Sequence, residues 1–131
     1  MATELTILAW AGVLLLVHIF AAGNAKTKQY GVQWNVGPRD GELPPLSPVA
    51  GRLVRAQANY METLPLAIIA LAGVVIAGRA SELTALAGWV WLGARVVYLP
   101  IYAMGIPVLR SVAFLVSLAA LLTVLWPLIF G

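Results

Sequence analysis

The sequence predicts an all-α integral membrane protein, a bundle of four transmembrane helices forming one domain over residues 1–131. Three observations lead there. Hydrophobic residues make up 62% of the chain and charged residues 10%, with a mean hydropathy of +0.94, whereas soluble domains carry about 25% charged residues. The apolar residues gather in four blocks, each long enough to supply the ~20 residues of helix that cross a bilayer. The net charge of +3 sits almost entirely in the connecting segments, so it reads as membrane topology and not as affinity for nucleic acid.

The first block, 3–23, carries Glu4 where a secretory leader would carry basic residues, and its positive charge follows it. It reads as a span and not as a signal peptide. The segment 24–47, NAKTKQYGVQWNVGPRDGELPPLS, is polar and rich in Gly and Pro, which predicts a loop outside the hydrocarbon. The second span covers 49–77, with its truly apolar part after Met61. The third covers 82–103, with Ser81 placed to cap its N-terminus. A tight turn at MGIP leads to the fourth, 107–129, where Pro107 suits the first helical turn. There is no internal repeat, no low-complexity tract and no GxxxG in an apolar run.

Basic residues set the expected orientation. Lys26, Lys28, Arg39, Arg52 and Arg55 flank the first loop and Arg110 flanks the last, while the opposite side holds both termini and Arg79. The positive-inside rule puts the 24–47 and 103–107 loops in the cytoplasm and both termini on the opposite side, the periplasm in the case of a bacterial inner membrane.

Polar residues in three spans converge toward that cytoplasmic end. At about 100° per residue, Arg52, Arg55, Asn59 and Glu62 share one stripe of the second helix, and Gln57 falls off it. Arg95, Tyr98 and Tyr102 form a stripe on the third. Arg110 and Ser111 open the fourth, with Phe114 and Ser117 further along the same face. Arg95 lies near mid-span, where a charge costs roughly 2.5–3.5 kcal/mol to insert. It needs a partner, and Glu62 is the acid at comparable depth. An ion pair that merely pinned two helices together would leave the other polar groups unexplained, and buried pairs stabilise poorly in themselves.

A pocket of this composition suits a small zwitterionic peptide. Arginines bind carboxylates in a bidentate fork. Asn59 and Glu62 offer partners for an amide and an ammonium, and the tyrosines supply hydroxyls and flat surface. No metal is expected, because His18 is the only histidine and stands alone in the first span, where it reads as a polar residue facing another helix. The absence of cysteine means that any thiol chemistry uses a thiol brought by a substrate. Pro65 and Pro100 read as helix kinks, and Pro100, between Tyr98 and Tyr102, would also aim both rings. Trp89 and Trp91 read as core or lipid contacts, and Trp126 as an interfacial anchor.

The run RLVRAQANYMETLP at 52–65, followed by RVVYLPIY at 95–102 and LRS at 109–111, resembles the MAPEG family, membrane-associated proteins in eicosanoid and glutathione metabolism. The resemblance covers nearly the whole chain, and GPRDGELPPL in the first loop looks like a bacterial branch. It implies a homotrimer of four-helix bundles that binds glutathione between subunits on the cytoplasmic side. By motif, Arg52 opens the binding stripe, Arg55, Asn59 and Glu62 would hold the glutathione backbone, and Arg95 would brace Glu62 and the ligand. Tyr98 and Tyr102 would line the site, and Gln57 would reach across the interface. Lys26 or Lys28 would meet a carboxylate from the neighbouring chain. Arg110, Ser111 or both would stabilise the thiolate, so the implied activity is a glutathione transferase or peroxidase acting on lipophilic electrophiles or lipid hydroperoxides. Two departures weigh against a specific eicosanoid synthase: Phe114 stands where some members have tyrosine, and Tyr98 where the prostaglandin-forming branch has histidine.

Two other readings remain open. A member of the same fold can bind lipid without chemistry. A small four-span drug/proton exporter would use a membrane-embedded Glu, but it would place that acid in the first span, where no buried acid is expected here, and the arginines near Glu62 would repel a cationic drug.

Overall fold

The computed structural model describes all residues, Met1–Gly131. Five helices form: α1 (Thr3–Tyr30), α2 (Val32–Val36), α3 (Pro48–Ile76), α4 (Glu82–Ala103) and α5 (Pro107–Phe130). All except the short α2 are long and apolar enough to cross a membrane. α3 and α4 each meet all three of the other long helices, α4 packing mainly on α5 and α3 mainly on α1, while α1 and α5 lie apart.

The core follows from helical spacing. Ile7, Ala11, Leu14 and His18 recur on one face of α1, all buried. They meet Tyr60, Ala67, Ala70, Leu71 and Val74 from α3, Ala87, Trp91 and Leu92 from α4, and Ala120, Leu121 and Val124 from α5. In lipid there is little hydrophobic drive between helices, so close packing of small residues must hold them together. The alanines serve that end, as does Gly88, where an added Cβ would lie 2.7 Å from Ile7 Cδ1 and 3.0 Å from Leu71 Cδ2. The outward faces carry the exposed apolar residues, such as Trp10, Phe20, Ile69, Leu86 and Leu115.

Local chemistry sets the helix ends. Ser81 accepts from Thr84 N while Thr84 Oγ1 accepts from Ser81 N, a reciprocal box that starts α4. Ser47 caps α3 ahead of Pro48, and Pro107 occupies the first turn of α5.

Two expectations are corrected. The segment 24–47 is not all loop, because α1 continues to Tyr30. NAKTKQY contains no Pro or Gly to stop it, and the break falls at Gly31, with φ +100. The rest of the segment folds back: Gln29 Nε2 donates to Pro45 O at 2.9 Å and Gln29 Oε1 accepts from Ser47 N at 2.8 Å, while Tyr30 Oη donates to Pro44 O at 2.7 Å. The second correction concerns acids. Glu4 in the first span is buried, accepting a 2.5 Å bond from Thr84 Oγ1. A carboxylate in the first turn faces the positive end of its own helix, which favours it there.

Candidate functional site

Arg95 organises the polar end of the bundle. Its side chain is 0% exposed. Nη1 donates to Asn59 Oδ1 at 2.8 Å, and the guanidinium lies 4.3 Å from the Tyr98 ring centre and 5.3 Å from that of Tyr60. Such contacts stabilise a desolvated cation by about 2 kcal/mol or more. Tyr60 is itself fixed: its hydroxyl donates to Ala11 O at 2.6 Å, and its ring stacks on His18 at 4.8 Å and on Trp91 at 6.4 Å. His18 therefore faces another helix, with neither ring nitrogen bonded. Nε and Nη2 of Arg95 also lack partners.

The expected Glu62–Arg95 pair does not form. Arg95 bonds Asn59, and Glu62, three residues further along α3, is exposed. An amide oxygen is cheaper to bury than a carboxylate, and the two tyrosine rings supply the negative surface that the cation needs.

Beyond Asn59 opens a cavity of about 420 Å³ lined by Asn59, Tyr98, Tyr102, Arg110, Ser111, Phe114 and Leu115. Three helices build it. α4 supplies the tyrosines, whose rings meet edge-on at 5.5 Å. α5 supplies Arg110, whose guanidinium lies 4.9 Å from the Tyr102 ring centre, and Phe114, 6.4 Å from Tyr98. Ser111 Oγ donates to Pro107 O at 3.2 Å. Arg110 is half-buried and rests on the ring alone, leaving its donors free toward the cavity.

The other anticipated residues lie outside this lining. Arg52 turns to the end of α4, where Nε donates to Ala103 O at 2.8 Å. Arg55 and Glu62 are exposed and Gln57 is half-buried. Lys26 and Lys28 sit on the last turns of α1. Ser117 is buried and donates to Phe114 O.

Sequence reasoning passed over two residues. Leu115 lines the cavity, and its signal was the i, i+4 step from Ser111. Tyr60 supports Arg95, and its signal was the same step from Ala56, another buried residue of α3.

No group of three or more His, Cys, Asp or Glu side chains gathers in the structure. The MAPEG family model matches residues 6–130. No match to an individual curated protein accompanies it. With four membrane-crossing helices, and that match running from the first turns of α1 to the end of α5, the chain belongs to the MAPEG family as an integral multi-pass membrane protein.

Proposed function

We propose that the chain binds glutathione in the Asn59–Arg110 cavity and activates its thiol against lipophilic electrophiles or lipid hydroperoxides, as a microsomal-type glutathione transferase or peroxidase. The observation that carries this is Arg110, a guanidinium without a carboxylate partner beside a cavity of about 420 Å³, within the ~300–1,000 Å³ of small-molecule sites. A thiol with a pKa of about 8.5 is mostly protonated at neutral pH, and an adjacent guanidinium lowers that value and raises the reactive fraction. Ser111 can turn its hydroxyl from Pro107 O to the same sulfur. In transfer, the sulfur–carbon bond forms as the leaving group departs with its electron pair, and the thiol proton passes to water at the open end. Phe114 and exposed Leu115 give the cavity an apolar edge toward lipid, through which the second reactant would arrive.

The reading includes a homotrimer with sites shared between subunits. It is supported by the exposed charge on α3. Glu62 is 14 residues from Ile76, the last residue of α3, so it sits about 21 Å along the axis from that end. That is inside the ~30 Å hydrocarbon core, where an uncovered carboxylate is costly. A neighbouring copy would cover Arg55 and Glu62 and bring its Lys26 or Lys28, with Gln57, to the ligand. The exporter reading has less to rest on, because Glu4 lies in the first turn of α1 and not mid-membrane.

Thermal unfolding of detergent-purified protein with and without millimolar glutathione tests the proposal. Saturation to 100 times the dissociation constant should stabilise wild type by about 2.7 kcal/mol. Arg55→Ala and Glu62→Ala should each lose the shift. A folded wild type that shows no shift would overturn the glutathione reading.

A further inference from the structure

Arg52 does not reach the cavity, yet it is tied to the piece of chain that presents Arg110. The joint between α4 and α5 is only Met104, Gly105 and Ile106. The last carbonyls of α4 are closed one by one. Pro100 O accepts from Met104 N, Tyr102 O from Gly105 N and Ile101 O from Ile106 N, at 3.0, 3.0 and 3.3 Å. Ala103 O is the remaining one. Its helical donor would be the N–H of residue 107, and Pro107 has none. Arg52, from α3, supplies the missing donor, with Nε at 2.8 Å from Ala103 O. Its guanidinium also covers the turn, since a Cβ on Gly105 would stand 3.4 Å from Arg52 Cζ and Nη1. Gly105 has φ +74, so the turn is of a kind that other residues resist. A cation at a helix C-terminus is further favoured by the helix dipole. Immediately after this joint, Arg110 N donates to Ile106 O, and the Arg110 side chain lies against Tyr102.

From this bond, the proline that makes it necessary and the three-residue joint, we infer that Arg52 is a positioning residue. It splices the start of α3 to the α4–α5 turn and thereby holds Arg110 over Tyr102 at the cavity. The inference rests on the glutathione reading for its functional half, while the clamp itself is testable without any ligand. It also separates two roles for one arginine. A residue that gripped a glutathione carboxylate would act on affinity and would need the planar fork. A clamp needs one N–H donor that reaches Ala103 O, and it would act on the thiolate.

The experiment compares wild type, Arg52→Ala and Arg52→Lys in detergent. Without ligand, backbone hydrogen exchange over 103–110 should rise in Arg52→Ala, roughly tenfold for the loss of one hydrogen bond of about 1.4 kcal/mol. It should return near wild type in Arg52→Lys. With glutathione and chlorodinitrobenzene, whose carbon–chlorine bond breaks as the sulfur–carbon bond forms and chloride leaves, Arg52→Ala should lower kcat about tenfold. KM for glutathione should stay within about twofold, since an interaction felt only in the reacting state moves kcat. The ultraviolet absorbance of the bound thiolate should fall in parallel, and Arg52→Lys should restore most of both. Unchanged exchange in Arg52→Ala, or a raised KM with kcat intact, would overturn the inference. If Arg52→Ala does not fold, Arg52→Lys decides: near-wild-type kcat supports the clamp, and a large rise in KM overturns it. If wild type neither binds glutathione nor turns over, the proposed function falls, and the exchange measurement alone still decides the clamp.

Discussion

At the scale of single residues, the site is governed by how one buried cation is satisfied. Arg95 is wholly enclosed, and its only side-chain hydrogen bond goes to Asn59. Asn59→Ala therefore leaves a desolvated guanidinium supported by ring faces alone. A hydrogen bond to a charged group contributes about 1.5–3 kcal/mol, so unfolding in mixed micelles should show a loss of that size. Because Asn59 also lines the cavity, the variant should lose the glutathione-induced shift as well. Much of this environment was legible in advance. The depth of Arg95 and its need for a partner followed from the cost of charge in lipid, and the three polar stripes pointed to one end of the bundle. The identity of the partner did not follow. Asn59 and Glu62 lie on the same stripe of α3, and spacing alone cannot say which of two polar groups a side chain from another helix will meet. Arg52 was beyond reach for the same reason: its role depends on a carbonyl 51 positions away that only the packed bundle brings to it.

At the scale of elements, helix approach is set by small residues and helix ends by caps and breakers. Gly88 on α4 faces Ile7 on α1 and Leu71 on α3, both fully buried. A methyl group there meets side chains that have nowhere to go. Gly88→Ala should cost about 1–3 kcal/mol, the usual range for overpacking, measurable as an earlier unfolding midpoint in micelles, whereas Gly93→Ala, in open space on the same helix, should not. The four membrane-crossing helices were visible from hydropathy, and the turns at Ser81 and Pro107 from cap and proline chemistry. The far end of α1 was not. Hydropathy reports where the lipid stops, and a helix of polar residues can continue into water, as α1 does from Asn24 to Tyr30. Glu4 was misread for a related reason. Its burial depends on Thr84, eighty residues away, rising from a cap at the same membrane face.

At the scale of the whole molecule, orientation decides which compartment supplies the water-soluble reactant. The basic ends of α1 and α3 and the α4–α5 turn lie together, and Arg79 marks the opposite end, where its Nη1 donates to Pro127 O at 3.0 Å. The chain has no cysteine, so single substitutions report topology without background. In intact cells, Lys28→Cys should resist a membrane-impermeant maleimide and Ala80→Cys should react with it, with the pattern reversed in inverted vesicles. The opposite result would turn the cavity toward the outer side of the membrane. α4 also bears on biogenesis. α4 is the least apolar of the four, and about half of its membrane-crossing stretch is buried, a larger share than in α1, α3 or α5. Its place in the bilayer comes from its neighbours more than from its own affinity for lipid. During translation α1 and α3 leave the ribosome first, so the poorest inserter emerges beside a berth already lined with Asn59 and Tyr60, and the most apolar helix follows to close over it. A nascent chain halted between the two would leave α4 without the helix on which it packs most extensively.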